Sequence, residues 1–361
     1  MRSSAARGYL WPAAARPNLS VHTDLHVTRV TMEGEGASRT ATGVECQSAT
    51  GDVVAVKARR EVILSAGVIG TPRLLEMSGI GDPGVLDNAG IRTQVALPGV
   101  GNNLQDHYVT RLCFRIKGIA TANERSHGAA LAREVAKYVV AGGGILTYSA
   151  AVIGAFASSG LVDRPDVQFV IAPGSFKEGR IGELENEPGL SFGVWQMRPE
   201  SRGHAHVVSS DRSQAPAIAP RYLSSELDRQ TTIAGLRIGR ALAKQPSLAP
   251  YVVGETVPGP QADSDDALLQ YARDNGSTVY HGVGTCRMGA DPAEGAVVDA
   301  ELRVHGIQRL RVIDGSIMPT MTSTNTNATV LMIAERAADM LLSEAQHALG
   351  DGAREGARHP A

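Results

Sequence analysis

The order of two kinds of short apolar segment limits the fold of this chain more than any other feature of its sequence. Short apolar segments predict strands, with clear alternation of apolar and polar residues at 18–30; they lie at 18–30, 43–46, 53–58, 62–65, 107–117, 167–171, 190–197, 204–209 and 310–313. Longer segments and segments with helix start or stop residues predict helices, with apolar residues at helical spacing in 227–243; they lie at 71–77, 129–140, 227–243 and 329–342. The first helix has Pro72 in its first turn, where proline is tolerated. This order predicts a mixed α/β fold, in which an α/β domain is interrupted by an antiparallel one.

Length and composition exclude several classes of protein. The chain has 361 residues, which at about 150 residues per domain predicts two domains, or one large domain with insertions. A hydrophobic fraction of 43% provides a sizeable core, and a net charge of −2 lacks the basic excess of a nucleic-acid-binding protein. No apolar run approaches the ~20 residues that cross a bilayer, so we expect no transmembrane segment. Three widely spaced cysteines predict no disulfide framework. We therefore expect a cytoplasmic protein, and leave contact with a membrane surface open.

Two glycine-containing motifs match known patterns in their letters only. Residues 79–84 read GxGxxG, but they follow a predicted helix and contain Pro83, whereas a dinucleotide-binding loop follows a strand and opens a helix. Residues 189–193 read GxSxG, with Ser191 in the nucleophile position. A charged loop precedes this serine and a strand pattern follows it, which disagrees with a nucleophile elbow. A serine hydrolase remains an alternative on this motif alone.

The strongest chemical pattern lies in residues 280–289, where His281 stands among glycines and other small residues. Such residues allow a ligand to approach the backbone closely. Asp314 follows the predicted strand at 310–313, and the ends of strands collect ligand sites in α/β proteins. Asn325 and Asn327 precede a predicted helix whose first amides can stabilise negative charge. Each residue also has an ordinary structural explanation, helix capping for the asparagines and backbone hydrogen bonds for the histidine, so both interpretations stay open.

Six segments, spaced in the family's order over nearly the whole chain, resemble motifs of the glucose–methanol–choline (GMC) family of flavin-dependent oxidoreductases. Residues 281–289 resemble the active-site histidine segment, and residues 325–329 resemble the segment with the second active-site residue. Residues 312–320 resemble the C-terminal flavin-binding strand and turn, and residues 65–81 resemble one signature pattern. Two further stretches resemble family segments, 99–107 and 198–203. In having asparagine at position 325, the chain resembles the branch of the family that oxidises choline and related alcohols. Other members have a histidine at this position.

The resemblance implies oxidation of an alcohol to an aldehyde or ketone, with hydride transfer to N5 of FAD. His281 would be the general base that takes the hydroxyl proton, and Asn325 would hold the substrate oxygen. Asp106 and His107 mark the crossing between two domains in the family, so a structural role is expected for both. The implied partners are a small-molecule alcohol and an electron acceptor, either oxygen or a quinone-like carrier. Because aromatic residues make up only 4% of the chain, we expect a general aliphatic alcohol rather than choline.

The resemblance also assigns residues to FAD. Asp314 and Gly315 would lie by its phosphates and ribityl chain, and Thr326 and Asn327 near the isoalloxazine ring. Val27 would lie on a strand that approaches the adenosine end. No metal site is implied.

The implied fold is α/β (mixed α+β): a three-layer β/β/α FAD-binding domain, truncated at its N-terminus, with an inserted antiparallel-sheet substrate domain. The expected divisions are 1–106 for the first FAD-binding part, 107–277 for the substrate-binding domain, 278–345 for the C-terminal FAD-binding part and 346–361 for a disordered tail. Family members begin with a strand, a GxGxxG turn and a helix that this chain lacks. We therefore expect the chain as given not to retain FAD and its activity to need the missing part. An FAD-containing lyase of the same fold is the further alternative.

Overall fold

The computed structural model describes residues 4–149, 151–176 and 183–356, with side chains described as far as residue 347. The helices of this part are α1 (Trp11–Ala13), α2 (Gly67–Met77), α3 (Pro83–Asn88), α4 (Ala122–Arg125), α5 (Gly128–Ala141), α6 (Glu226–Ala243), α7 (Asp265–Asn275) and α8 (Asn327–Gly356). The strands are β1 (Leu25–Glu33), β2 (Thr40–Ser48), β3 (Val53–Lys57), β4 (Val62–Leu64), β5 (Ile80–Gly81), β6 (Val95–Ala96), β7 (Asn102–Leu104), β8 (Tyr108–Ile116), β9 (Ile153–Ala157), β10 (Val167–Ala172), β11 (Gly189–Gln196), β12 (Gly203–His206), β13 (Ala217–Ala219), β14 (Val252–Val257), β15 (Ser277–Thr278) and β16 (Leu310–Val312).

An antiparallel sheet forms one part of the molecule, with its strands in the order β14, β8, β11, β10, β9 and with β15 paired to the start of β8. Because side chains alternate between the two faces of a strand, every second residue of β10 and β11 faces α6. The residues buried there are Val167, Phe169, Phe192, Val194 and, on α6, Leu236. The predicted antiparallel sheet within a mixed α/β fold is thus confirmed.

A parallel pair of strands organises the other part. Leu310 of β16 pairs with Val62 of β4, and the antiparallel sheet β1–β2–β3 and helix α2 pack nearby. The strand at 18–30 was predicted too long, since β1 begins only at Leu25. Asp24 has a φ of 62°, which interrupts an extended backbone directly before β1. The two parts have separate apolar clusters, and the domain limits given above stay predictions.

Helix α2 begins earlier than predicted, at Gly67, so Pro72 lies inside the helix rather than in its first turn. Proline has no N–H for the carbonyl four residues earlier, which belongs to Val68. The hydroxyl of Thr285 donates to this carbonyl at 2.6 Å instead. A residue of the His281 segment therefore supplies the hydrogen bond that Pro72 removes, and it ties that segment to α2.

Helix α8 also differs from its prediction, because it continues to Gly356, through most of the segment predicted as a disordered tail. Arg311, which is buried, binds Glu344 of α8 at 2.5 Å and Glu61 at 2.8 Å, so the helix is anchored beyond its predicted end at residue 342. Residues 357–361 of the predicted tail lie outside the described residues. Within the part of the chain that the structure describes, no helix is both long and apolar enough to cross a membrane.

The two glycine-containing motifs do not form the sites that their letters match. In residues 79–84, the Asp82 side chain caps α3 and accepts from two amides of its first turn, at 2.8 and 3.1 Å, so a carboxylate occupies that helix end. Ser191 is buried within β11, and its hydroxyl donates to the carbonyl of Gly174 at 2.7 Å. There is no strand-to-helix turn at this serine, and the serine hydrolase alternative is therefore wrong.

Candidate active site

Three segments that are distant in sequence meet at His281. His107 directly precedes β8, and His281 follows β15, whose pairing with β8 brings the two histidines together. Asn325 lies just before α8. The Nδ1 atom of His281 lies 2.9 Å from Nδ1 of His107, and its Nε2 atom lies 2.9 Å from Nδ2 of Asn325. The structure thus brings together the two residues predicted to be catalytic and adds His107, for which only a structural role was expected.

The hydrogen bonds at these rings fix where the protons lie. Nε2 of His107 lies 2.8 Å from the carbonyl oxygen of Met197, which can only accept, so this nitrogen carries a proton. Burial lowers the pKa of His107 to about 4, so the ring is neutral near pH 7 and its Nδ1 atom accepts. His281 therefore donates from Nδ1, and its Nε2 atom holds a lone pair that accepts from the Asn325 amide. In this tautomer Nε2 is ready to accept a proton.

Asp106 positions His281 through its backbone. Its Oδ1 atom accepts from the N–H of His281 at 3.0 Å, and its Oδ2 atom accepts from the hydroxyls of Tyr222 and Thr278, each at 2.5 Å. Burial lowers the pKa of His281, and the negative charge of Asp106 opposes this effect in part. Burial and Asp106 both raise the pKa of Tyr222, which remains a donor. His281 is therefore a neutral base at neutral pH.

Asp314 joins the turn after β16 to the start of α2. Its Oδ2 atom accepts from the N–H of Gly67 at 2.9 Å and from the Thr71 hydroxyl at 2.6 Å, and its Oδ1 atom accepts from the N–H of Ser316 at 2.8 Å. Both carboxylate oxygens thus have protein donors. A Cβ atom on Gly315 would lie 3.3 Å from a Val330 methyl, so this glycine allows close packing against α8.

Gly67 and the start of α8 present backbone to open space. Gly67 has a φ of 81°, and a Cβ atom there would have no heavy atom within 4 Å. Thr326 is buried and its carbonyl accepts from Val330 at 3.0 Å, whereas Asn327 is exposed at the first position of α8. The first amides of a helix carry partial positive charge. The start of α8 therefore suits a polar, negatively charged ligand, whereas Gly67, whose N–H donates to Asp314, offers room for a ligand beside its backbone.

Val27 lines a groove to which His281 and Asn325 do not contribute. It lies half-buried on β1 and lines an open groove of about 250 Å³ together with Ala66, Gly70 and Leu74. His281 and Asn325 are not among the residues that line this groove. In the described residues, no cluster of side chains has the composition of a metal site.

Sequence reasoning missed His107 and two further residues, Gln168 and Trp195. Gln168 donates from Nε2 to the Asn325 side chain at 3.4 Å, and the Trp195 ring lies 6.1 Å from the His281 ring, measured between centroids. The alternation within the predicted strands 167–171 and 190–197 was the available signal. It puts both residues on the sheet face opposite the apolar one.

Comparison with known proteins decides the family. Two family models described as GMC oxidoreductase match the chain, one over residues 1–109 and the other over residues 199–334. The chain belongs to the GMC oxidoreductase family. The expected resemblance is confirmed, including its choline- and alcohol-oxidising branch.

Individual GMC oxidoreductases match almost the whole of this chain. An alcohol dehydrogenase (acceptor) from Pseudomonas putida is 40% identical over 94% of the chain and 61% of its own length. An oxygen-dependent choline dehydrogenase from Pseudomonas syringae pv. tomato is 38% identical over 94% of the chain and 59% of its own length. A formate oxidase from Aspergillus oryzae, studied for the modification of its FAD, has a TM-score of 0.86 and 26% identity over 93% of the chain and 63% of its own length. The chain spans about three fifths of the length of the curated relatives it matches.

Proposed function

We propose that this chain carries the alcohol-oxidising site of an FAD-dependent GMC oxidoreductase. The observation that carries the proposal is the hydrogen-bond chain that runs from Met197 through His107 and His281 to Asn325. It leaves an unprotonated nitrogen and an amide donor side by side, which are the two groups that an alcohol needs in order to lose its proton. The names of the P. putida and P. syringae relatives support an alcohol as substrate.

FAD is the proposed cofactor, and the residues present fit it. The open backbone at Gly67, beside Asp314 and Gly315, suits the phosphates and ribityl chain, because positive φ and empty space let a ligand approach the main chain. The first turn of α8, at Thr326 and Asn327, suits the electron-rich edge of the isoalloxazine. The groove at Val27 is assigned to the adenosine end. When bound, FAD accepts the hydride from the alcohol carbon.

The side chains of this site handle the hydroxyl group. An alcohol that binds here displaces the bond between Nδ2 of Asn325 and Nε2 of His281. Its oxygen then accepts from the amide and donates its proton to the freed lone pair of the imidazole. Nε2 takes the hydroxyl proton, while the Nδ1–H bond to His107 holds the ring in the required orientation. The Asp106 charge favours the imidazolium that results. Burial of the His107 and His281 rings limits the access of water to the base.

The electron acceptor and the compartment are proposed only in outline. Oxygen and a quinone-like carrier both remain proposed acceptors, and oxygen uptake compared with reduction of a soluble quinone distinguishes them. A cytoplasmic location is proposed from the three free, buried cysteines.

Anaerobic reduction of the flavin by a primary alcohol tests the function. The protein is the FAD-loaded polypeptide that includes this chain, and His281→Ala is expected to slow reduction by about 10²–10⁴-fold while FAD content changes little. His305→Ala is the matched control; the ring of His305 contacts the Gly289 carbonyl. Equal losses of reduction and FAD would make His281 structural. A bound flavin that stays oxidised during turnover would favour the lyase.

A further inference from the structure

One row of side chains crosses the face of the antiparallel sheet that looks toward the active site. The strand register pairs Phe156 of β9 with Gln168 of β10, and Gln168 with Trp195 of β11. Directly paired residues on antiparallel strands have adjacent side chains on the same face. Gln168 reaches Asn325, and Trp195 lies beside His281. The row therefore extends directly from the two residues that hold the reacting hydroxyl.

Two polar atoms in this row are buried and have no hydrogen-bond partner among the described residues. They are the amide oxygen Oε1 of Gln168 and the indole nitrogen Nε1 of Trp195. The two residues are only 4% and 3% exposed. Buried polar groups are nearly always hydrogen-bonded in folded proteins. An acceptor and a donor left free on adjacent strands, beside a catalytic pair, indicate a place for a polar group of a ligand.

The chemistry of these two atoms selects the group. The amide oxygen can only accept and the indole nitrogen can only donate. A hydroxyl both donates and accepts, so one hydroxyl satisfies both atoms, whereas an ether or carbonyl oxygen satisfies the indole alone. A quaternary ammonium accepts no hydrogen bond, so it gains nothing from the Trp195 N–H. The exposed ring of Phe156 offers an apolar wall to the carbon chain at the open end of the row.

We propose that Gln168 and Trp195 form a subsite for a second hydroxyl of the substrate, so that short diols and polyols are the preferred alcohols of this site. The inference rests on the proposed function, whose reacting hydroxyl lies at His281 and Asn325. The Gln168 side chain contacts the Asn325 side chain, at 3.4 Å between Nε2 and Oδ1, so the two hydroxyls lie close together and short diols are the ones to test.

Isosteric alcohols measure the subsite in the FAD-loaded enzyme. Ethylene glycol is compared with n-propanol, and trimethylene glycol with n-butanol, by kcat/KM for flavin reduction. The better glycol is expected to exceed its mono-alcohol by about tenfold or more, the effect of a neutral hydrogen bond in a buried site. Trp195→Phe removes the donor and is expected to lower this ratio about tenfold. A ratio near one in the parent enzyme, or a ratio that Trp195→Phe leaves unchanged, would overturn the subsite while alcohol oxidation stands.

Gln196→Leu is the matched control. Gln196 is also buried with a free amide oxygen, but it pairs with Val167 and so lies on the opposite, α6-facing side of the sheet. Gln196→Leu removes a buried, unpartnered polar atom from the same strand, β11, and is expected to leave the glycol preference as it is. A loss of preference in Gln196→Leu equal to that in Trp195→Phe would mean that sheet packing, not a subsite, sets the selectivity.

A binding measurement separates the subsite from the proposed function. The chain has two tryptophans, and Trp11 is 64% exposed on α1. In the Trp11→Phe variant of the 361-residue chain, Trp195 is the one tryptophan left, so the fluorescence reports its surroundings. Titration with the two glycols is expected to give a saturable change in emission that the matching mono-alcohols do not give. If no alcohol reduces the flavin, the proposed function is wrong and this titration still decides the subsite: the same response to both classes of alcohol overturns it.

Discussion

The imidazole rings of His107 and His281 meet edge to face, at an angle of 86° and with their Nδ1 atoms 2.9 Å apart. Only one of two facing Nδ1 atoms can hold the shared proton, and the Met197 carbonyl decides which, because it requires the proton of His107 on the other nitrogen. The tautomer of His281, the proposed base, is thus fixed by His107, a residue that is not proposed to touch the substrate.

Removal of His107 tests this control of the tautomer. His107→Leu leaves the Nδ1–H of His281 without an acceptor, so the proton is free to occupy Nε2. We expect flavin reduction to slow by about 10–100-fold, with KM affected less than kcat. His107→Gln offers an amide oxygen in place of Nδ1 and is expected to restore part of the rate. Stopped-flow reduction measures both variants, and equal rates in the two would argue against a positioning role.

The pH profile of the reaction follows from the burial of His281. Burial lowers its pKa below the ordinary 6.5, so the base is neutral and active above that pKa, and kcat/KM falls as acid protonates it. We expect the ascending limb of the profile below pH 6.5. Asp106→Asn removes the charge that raises the pKa, so the limb moves to lower pH. A limb that stays in place, or that moves upward, would contradict the assignment.

Acid stability depends on His107. Its pKa falls from 6.5 to about 4 on folding, so the unfolded chain binds more protons between these values. This contribution is fully present above pH 6.5 and is lost as the pH falls toward 4, by about 3 kcal/mol at 1.36 kcal/mol per unit. His107→Leu is expected to show a shallower loss of unfolding free energy over this range. Urea unfolding at several pH values measures it, and parallel curves would refute the prediction.

The bond from Thr285 to Val68 is expected to couple with Pro72. Thr285→Val leaves the Val68 carbonyl without a donor and is expected to cost about 1–3 kcal/mol of unfolding free energy. In a Pro72→Ala background the new N–H of residue 72 satisfies that carbonyl, so the same substitution costs less. Chemical denaturation of the four proteins in this double-mutant cycle gives the coupling. Strictly additive effects would mean that the hydroxyl does not replace the helical bond.

Helices and strands whose bounds follow from the local pattern of apolar residues were predictable from the sequence. The apolar alternation of β10 and β11 and the helical spacing of α6 give boundaries within one or two residues of those observed. The start of α2 was missed because the carboxylate that accepts from its first N–H belongs to Asp314, which lies 247 residues from Gly67 in sequence. The length of α8 was missed for a similar reason, since Arg311 and Glu344 hold its later turns. Contacts between residues that are so distant in sequence cannot be predicted from the pattern of neighbouring residues.

The candidate site was also predictable only in part from the sequence. His281 and Asn325 were identified by the motifs around them, and the 2.9 Å contact between His281 Nε2 and Asn325 Nδ2 joins them in one site. His107 was not identified, because its role depends on the pairing of β15 with β8 and on a main-chain oxygen at Met197. No residue type in a sequence indicates that a main-chain carbonyl will fix the tautomer of a histidine. The assignments of Asp314, Gly315, Thr326, Asn327 and Val27 to the cofactor stay predictions.

The last member of the histidine chain is a peptide oxygen, and a peptide oxygen does not take up a proton at ordinary pH. Among the described residues, the hydrogen-bond chain therefore offers a proton no path onward from His107. A proton taken by His281 therefore leaves from Nε2, on the side of the ring where the alcohol binds. Its release is a separate step from its uptake, and a solvent isotope effect is expected on both steps.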